Sequence, residues 1–321
     1  MPRRELDYHP LTLWNVPDDH HFFREEGSGL YSYIFIEDVR TSIMPYHTHS
    51  SSGNKSFEVN ISNPSLEIEV KALFHMSYGH DPFYQPLSEV VFSFVREIAS
   101  FLLIKGGKIY FEIVEATLDD NEVSKPVNVL NPIHGRVIRF GKKYYQMIPN
   151  EVKEVKERYI PVPQSKIWAL EISPKLGEVK DIIALSKIMG ELGKASLLGS
   201  EIVTNHKDFL GFDVINFHSS IDAAVLRVTQ KWGWDMRMGI SNQHALEYYL
   251  FYRMLRFGYS MAILRSDILF KMNNLLSRLG YDVVLSFSGI TKPEEYLDAI
   301  KKMEQRELSF KDASALVYFA M

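Results

Sequence analysis

The chain has 321 residues, of which 46% are hydrophobic and 24% charged, with a formal net charge of -4 and no cysteine. That composition excludes a disulfide framework, a thiolate nucleophile and a cysteine-ligated zinc site, and no long segment combines low hydrophobicity with one sign of charge. A mildly acidic chain also lacks the broad basic face of general nucleic-acid binders, and its most apolar window, 90–104, is interrupted by Arg96 and Glu97 and too short for a bilayer.

The opening Met1-Pro-Arg-Arg-Glu-Leu-Asp7 is charged and no apolar run of the secretory type follows, so a cytoplasmic protein is expected. Residues 1–30 read as an irregular arm whose Trp14, Phe22 and Phe23 pack on the body. Leu30 to Glu37, made of Tyr, Ile and Phe, predicts a strand. Phe57 to Ile61 and Leu66 to Phe74 alternate apolar with polar residues and predict two more strands, with Asn63-Pro64-Ser65 as the turn between them.

Pro86 to Ile104 carries helical spacing at Leu87, Val90, Val91, Phe94, Ile98, Phe101 and Leu102, and Gly106-Gly107 stops it. Lys108 to Glu115 predicts a strand, and 117–130, acidic and then prolyl, a surface connection. Arg136 to Phe140 and Lys143 to Ile148 predict a hairpin about Gly141-Lys142. Its Arg136, Arg139, Lys142 and Lys143 form a local basic group, read as a solvated hairpin face. The charged stretch Asn150 to Arg158 reads as a link, and Ile160 to Ile172 as an extended segment at a sheet edge because of Pro161 and Pro163.

After Pro174 helical periods dominate, over 177–199, 219–231, 241–279, 292–305 and 309–320, with Tyr281 to Phe287 as a strand among them. Ser241 is an N-cap candidate, and Thr291-Lys-Pro-Glu294 has a capping-box pattern. The expected class is α+β. A strand-rich region, 1–173, holds a mixed or antiparallel sheet with one long helix, and 174–321 is mainly helical.

The sharpest chemical motif is Tyr46-His47-Thr48-His49, running into Ser50-Ser51-Ser52-Gly53. Histidines two apart on extended backbone point to one side, so His47 and His49 can grip a single zinc or manganese ion. The motif resembles the first metal motif of the PHP phosphoesterases and, more loosely, that of amidohydrolase-like or JAMM-type hydrolases. The acid those enzymes carry after the glycine turn is replaced here by Asn54-Lys55. Further oxygen and nitrogen donors are His20, His21, Glu25, His75, His80 and Asp81. His244 and Glu247, three apart at the start of the long helix, read as capping residues.

On the same helix Arg253, Arg256, Arg265 and Asp267 read as members of ion pairs, along the helix or across a subunit boundary. Trp232-Gly233-Trp234 is a compact aromatic turn that either clamps a ligand or neighbouring subunit or plugs a helix junction. Phosphate-loop spacing and a Gly-x-Ser-x-Gly elbow are absent, so no complete catalytic signature is present.

Taken in order, a helix ending in Lys105-Gly106-Gly107, Ile109-Tyr-Phe-Glu-Ile113, Asn131-Pro132, the Arg136-to-Ile148 hairpin and Tyr159-Ile-Pro-Val-Pro163 lead into Ile167-Trp-Ala-Leu170. Over about 86–290 this succession resembles the core of tailed-phage portal proteins. The resemblance implies a virion protein whose copies form a ring around a DNA channel and contact other virion proteins, with no membrane and no cofactor. A self-associating structural protein, with interaction residues at Trp232, Trp234, Arg253 and Arg256, is therefore the expectation. A metal-dependent hydrolase of the phosphoesterase or amidohydrolase type, activating water through His47 and His49, is the alternative.

Overall fold

The computed structural model describes residues 5–13, 16, 29–44, 57–75, 83, 85–120, 123–152, 156–205, 214–235, 247–308 and 312. The described chain is α+β, and every strand pairing in it is antiparallel.

The main sheet is built on one long strand, β3 (Lys108–Asp120). β4 (Val123–Pro132) covers one edge of it from Phe111 to Asp120. The other edge is shared end to end: β8 (Ile167–Glu171) pairs with residues 108–112 and β1 (Glu5–Tyr8) with 116–119. The expected surface connection at 117–130 is thus a continuation of the β3–β4 hairpin. Pro126 sits in β4 opposite Thr117, a place open to proline because β4 is an outer strand.

Two segments expected as strands are helices. α1 spans Gly29–Ser42 and α2 spans Glu67–Leu73. In α1 the aromatic and β-branched residues favour a strand locally, but Tyr31, Phe35 and Val39 recur every fourth position and are buried, while Tyr33 stays 64% exposed. Burial on one helical stripe outweighs a propensity difference of at most about 1 kcal/mol. In α2 the same charges that suggested alternation pair along the helix, Lys71 with Glu67. Asn63 starts the preceding 3-10 turn by accepting from the Ser65 backbone N–H.

α3 (Leu87–Ile104) lies where its spacing put it. Gly106 and Gly107 follow it at φ +68° and +94°, and a Cβ on Gly107 would stand 3.3 Å from Ile172 and Ile182 side chains. The tight helix-to-strand reversal therefore depends on these glycines. β5 (Arg136–Phe140), β6 (Lys143–Met147) and β7 (Tyr159–Pro163) form a separate three-stranded meander.

The later helices are α4 (Val179–Asn205), α5 (Val214–Val228), α6 (Glu247–Arg278) and α7 (Pro293–Glu304), with β9 (Leu285–Ser288) between the last two. The α7 box falls one residue later than expected, since Glu295 rather than Glu294 reaches back to the Lys292 N–H, at 2.6 Å. Ser241 and the predicted helix at 309–320, apart from Asp312, lie outside the described residues.

Pro174 marks a change of secondary structure and not a break in packing. One core takes in Phe35 of α1, Phe94 of α3, Trp168 of β8, Trp232 after α5 and Leu264 of α6. Phe94 stacks on Trp168 with ring centroids 6.2 Å apart. β9 also crosses back to pair with β2 (Glu58–Ile61), so the two compositional regions share both a core and a sheet.

Candidate functional site

The meander β5–β6–β7 has two unlike faces. Strand alternation puts Gln146 and Val162 on the inner face, 0% and 1% exposed, where Val137 and Tyr144 pack with them over Ile133 and Ile167. The register puts Ile138, Tyr145 and Pro161 in one row of the outer face, with Phe140, Lys143 and Pro163 on one side and Arg136, Met147 and Tyr159 on the other. Phe140 is 78% and Tyr159 52% exposed. The three strands contain no Asp or Glu. The sequence read Arg136, Arg139, Lys142 and Lys143 as a solvated hairpin face, and all four are exposed; the register adds that Arg136 and Lys143 share the outer face with Ile138, Tyr145 and Phe140.

Arg139 belongs to the other row. Its guanidinium lies 5.6 Å from the Tyr144 ring centroid and its Nε donates to the Gly141 carbonyl. The edge strand β7 carries Pro161 and Pro163, which have no N–H to offer another strand, so the edge is blunted while the face stays open.

The inner face of the meander holds the N-terminal arm. Gln146 accepts from the Leu13 N–H at 2.8 Å through Oε1, while its Nε2 donates to the carbonyls of Leu13 and His134, each at 2.9 Å. Next to it Glu112, 1% exposed, accepts from the Leu11 N–H, the Thr12 N–H and the Thr12 hydroxyl. Asn131 donates to that hydroxyl at 2.9 Å. A buried carboxylate is tolerated when its oxygens are saturated by donors, and here the arm supplies them. Sequence reasoning passed over Glu112 and Gln146. The available signal was a lone carboxylate inside the apolar run Ile109-Tyr-Phe-Glu-Ile113, which has to find partners if that strand is buried.

The aromatic turn is interior. Trp232 and Trp234 are 2% and 0% exposed and meet Phe35 edge-on, with centroids 5.4 and 5.2 Å away. Arg253, also buried, donates to the Trp234 and Leu226 carbonyls and to the Thr229 hydroxyl, and burial pulls its pKa below the usual arginine value. Arg256 packs its Cβ against Gly233 and sits 5.8 Å from the Tyr259 ring. Arg265 donates to the Ile43 and Thr291 carbonyls. Asp267 pairs with Lys271 on its own helix at 2.6 Å. In this fold the two tryptophans and Arg253 plug and cap a helix junction and offer no outer surface.

His47 and His49 lie outside the described residues, as do His20, His21, Glu25, His80, Asp81 and His244. His75 is half-buried just beyond α2, and Glu247 opens α6. Among the described residues there is no group of three or more His, Asp or Glu side chains able to hold a metal ion. Nor, among them, is any helix long and apolar enough to cross a membrane.

No protein-family model matches the chain, and no curated protein sequence matches it.

Proposed function

We propose that this protein is a structural subunit that self-associates, most concretely into a ring of the tailed-phage portal type. The observation that carries the reading is the outer face of β5–β6–β7, where Phe140 and Tyr159 are exposed beside Ile138, Tyr145 and Met147 on a framed, well-packed sheet. Contiguous apolar surface of this kind costs a protein solubility and is retained at association sites. Aromatic residues with arginine are the composition of interface centres.

The order of elements adds support. α3, the Gly106-Gly107 reversal, the start of β3, Asn131-Pro132 at the end of β4, the β5–β6 hairpin, β7 and β8 follow one another in the order on which the portal resemblance rests, while the β3–β4 hairpin is no part of that resemblance. On this reading DNA passes through the centre of the ring and other virion proteins dock on it, while the chain itself performs assembly and no bond-making chemistry.

The test is the mass of the purified full chain by light scattering coupled to size exclusion, followed by electron microscopy. The expected result is one defined multi-subunit species, seen end-on as a ring with a central opening. A monomer at every accessible concentration overturns the proposal.

A further inference from the structure

We propose that Glu112, Asn131 and Gln146 form a socket for an extended polypeptide, and that in the assembly each socket is filled by the N-terminal arm of a neighbouring copy. This rests on the self-association reading above and names how the copies are linked.

The socket is built to hold backbone. Glu112, Asn131 and Gln146 are 1%, 3% and 0% exposed. Gln146 brackets one residue of the arm, accepting from the Leu13 N–H and donating to the Leu13 carbonyl. Glu112 gathers the N–H groups of Leu11 and Thr12, and Asn131 holds the Thr12 hydroxyl. Beyond them Val16 lies against Gly135, where a Cβ would stand 2.6 Å from the Val16 side chain, so only glycine leaves that place open. The described donors to Glu112 all belong to the arm. With the arm away, the carboxylate between Phe111 and Ile113 keeps none of them, and the socket favours any copy of the arm that can reach it.

The arm is held by hydrogen bonds more than by apolar burial. Leu11 is 48% exposed, and the side chains of Asp7 and His9 are 74% and 92% exposed. Each such hydrogen bond has a small net worth, so the arm opens locally while the core beneath it stays folded. Its partners lie between Glu112 and Gln146, whereas the chain runs on into α1, which packs on Trp232 and Trp234. Residues 17–28 separate Val16 from α1, a connection that reaches about 45 Å at full extension. An exchange keeps every contact of the arm and redirects that connection alone, which makes it a low-cost route to assembly. Arm and socket are different surfaces, so each copy gives one and receives one. Contacts of this heterologous kind repeat from copy to copy and close into a ring when the rotation allows.

The chain has no cysteine, so a pair introduced across β1 and β3 reports which copy hosts the arm. Asp7 and Thr117 are opposed in the register and both are exposed, and opposed residues of antiparallel strands stand within disulfide reach. The full chain carrying Asp7→Cys and Thr117→Cys is oxidised in its assembled state, denatured without reductant and sized, and the bonded peptides are identified by mass. Unchanged circular dichroism and sedimentation before oxidation verify that the variant folds and assembles. The expected result is a bond between positions 7 and 117 of different chains, seen as a ladder of covalent dimers and larger species. The same bond confined to single chains, in protein that was oligomeric beforehand, overturns the exchange and leaves self-association standing. Thiols that stay free under oxidant also overturn it, because the exchanged arm requires this register. A wild type that sediments as a monomer removes the self-association reading first and this inference with it.

Discussion

Trp234 donates its indole N–H to the Asp38 carboxylate at 2.7 Å, joining the turn after α5 to α1 across 196 positions of sequence. Both side chains are buried, and Phe35, one helical turn before Asp38, sets its ring edge against Trp234 and Trp232. α1 is thus held to the later helices by this charged hydrogen bond inside an aromatic contact and by a second from the Tyr31 hydroxyl to the Asp222 carboxylate of α5, at 3.3 Å. Replacing Trp234 with Phe removes the donor and leaves part of the indole volume empty. The expected loss is about 3 kcal/mol of unfolding free energy. Asp38→Asn keeps an acceptor for the indole and costs about 1 kcal/mol. Urea unfolding checks both values; equal effects would mean that the hydrogen bond is not what joins the two elements.

Arg265 gives a pH prediction. It is 7% exposed, its guanidinium donates to the Ile43 and Thr291 carbonyls, and burial lowers its pKa from the usual arginine value to about 10. Because the folded value is the lower one, the unfolded chain binds this proton more tightly. Between those two values stability therefore gains from Arg265 as pH rises; below about 10 the group is charged in both states and contributes no slope. The difference in unfolding free energy between wild type and Arg265→Met, which has no titrating group, should be flat from about pH 6 to about pH 9. Its expected size is about 2 kcal/mol, because methionine donates to neither carbonyl. A slope across that interval would contradict the assignment.

The N-terminal arm depends on two buried side chains. Gln146→Leu leaves the Leu13 N–H and carbonyl and the His134 carbonyl without their partner, and Glu112→Gln removes the charge that gathers Leu11 and Thr12. Hydrogen exchange should speed up by about tenfold or more at the Leu11, Thr12 and Leu13 amides in each variant, corresponding to a local loss of about 1.4 kcal/mol or more. The core helix α3 should keep its protection. Exchange that is unchanged at the arm would show that other contacts hold it.

Two glycines in the same backbone region should respond differently to alanine. Gly233 has φ +76°, and a Cβ there would lie 2.4 Å from the Arg256 Cβ and 2.6 Å from the Phe257 nitrogen. Gly141 has φ +61° with no atom within 4 Å of that position. Gly141→Ala should cost only the left-handed conformation, about 1 kcal/mol, whereas Gly233→Ala adds a backbone clash and should cost about 3 kcal/mol or more. Thermal unfolding of the pair separates the two contributions.

Much of the local structure was legible because it rests on short-range physics. The α3 spacing, the glycine reversal, the Gly141-Lys142 turn and the strand after Lys108 each follow from a few neighbouring residues. α1 and α2 were misread because their apolar residues suit a strand locally, and the choice was made by surfaces far away, Trp232 and Trp234 for one and the β4 side of the main sheet for the other. The β3–β4 hairpin was cut short because Asp119-Asp120 and Pro126 look like loop residues until an outer strand accommodates them. On the candidate site, the hairpin and its cations were visible, but the reading of Trp232 and Trp234 as a turn could not separate a clamp from a plug. Burial separates them here.

The sequence by itself determined an α+β class, the absence of thiol chemistry and the ends of α3 and α7, since all of these follow from composition and from contacts within a few residues. Only the tertiary structure decided which side of β5–β6–β7 faces outward, that Glu112 and Gln146 hold the arm, and that both regions share one core. Each of those is a pairing of residues 100 or more apart or a matter of which face finds a partner. Strand alternation gives two faces without saying which is covered, and that is settled when Ile133 and Ile167 pack beneath Val162 and leave Phe140 and Tyr159 on the outside.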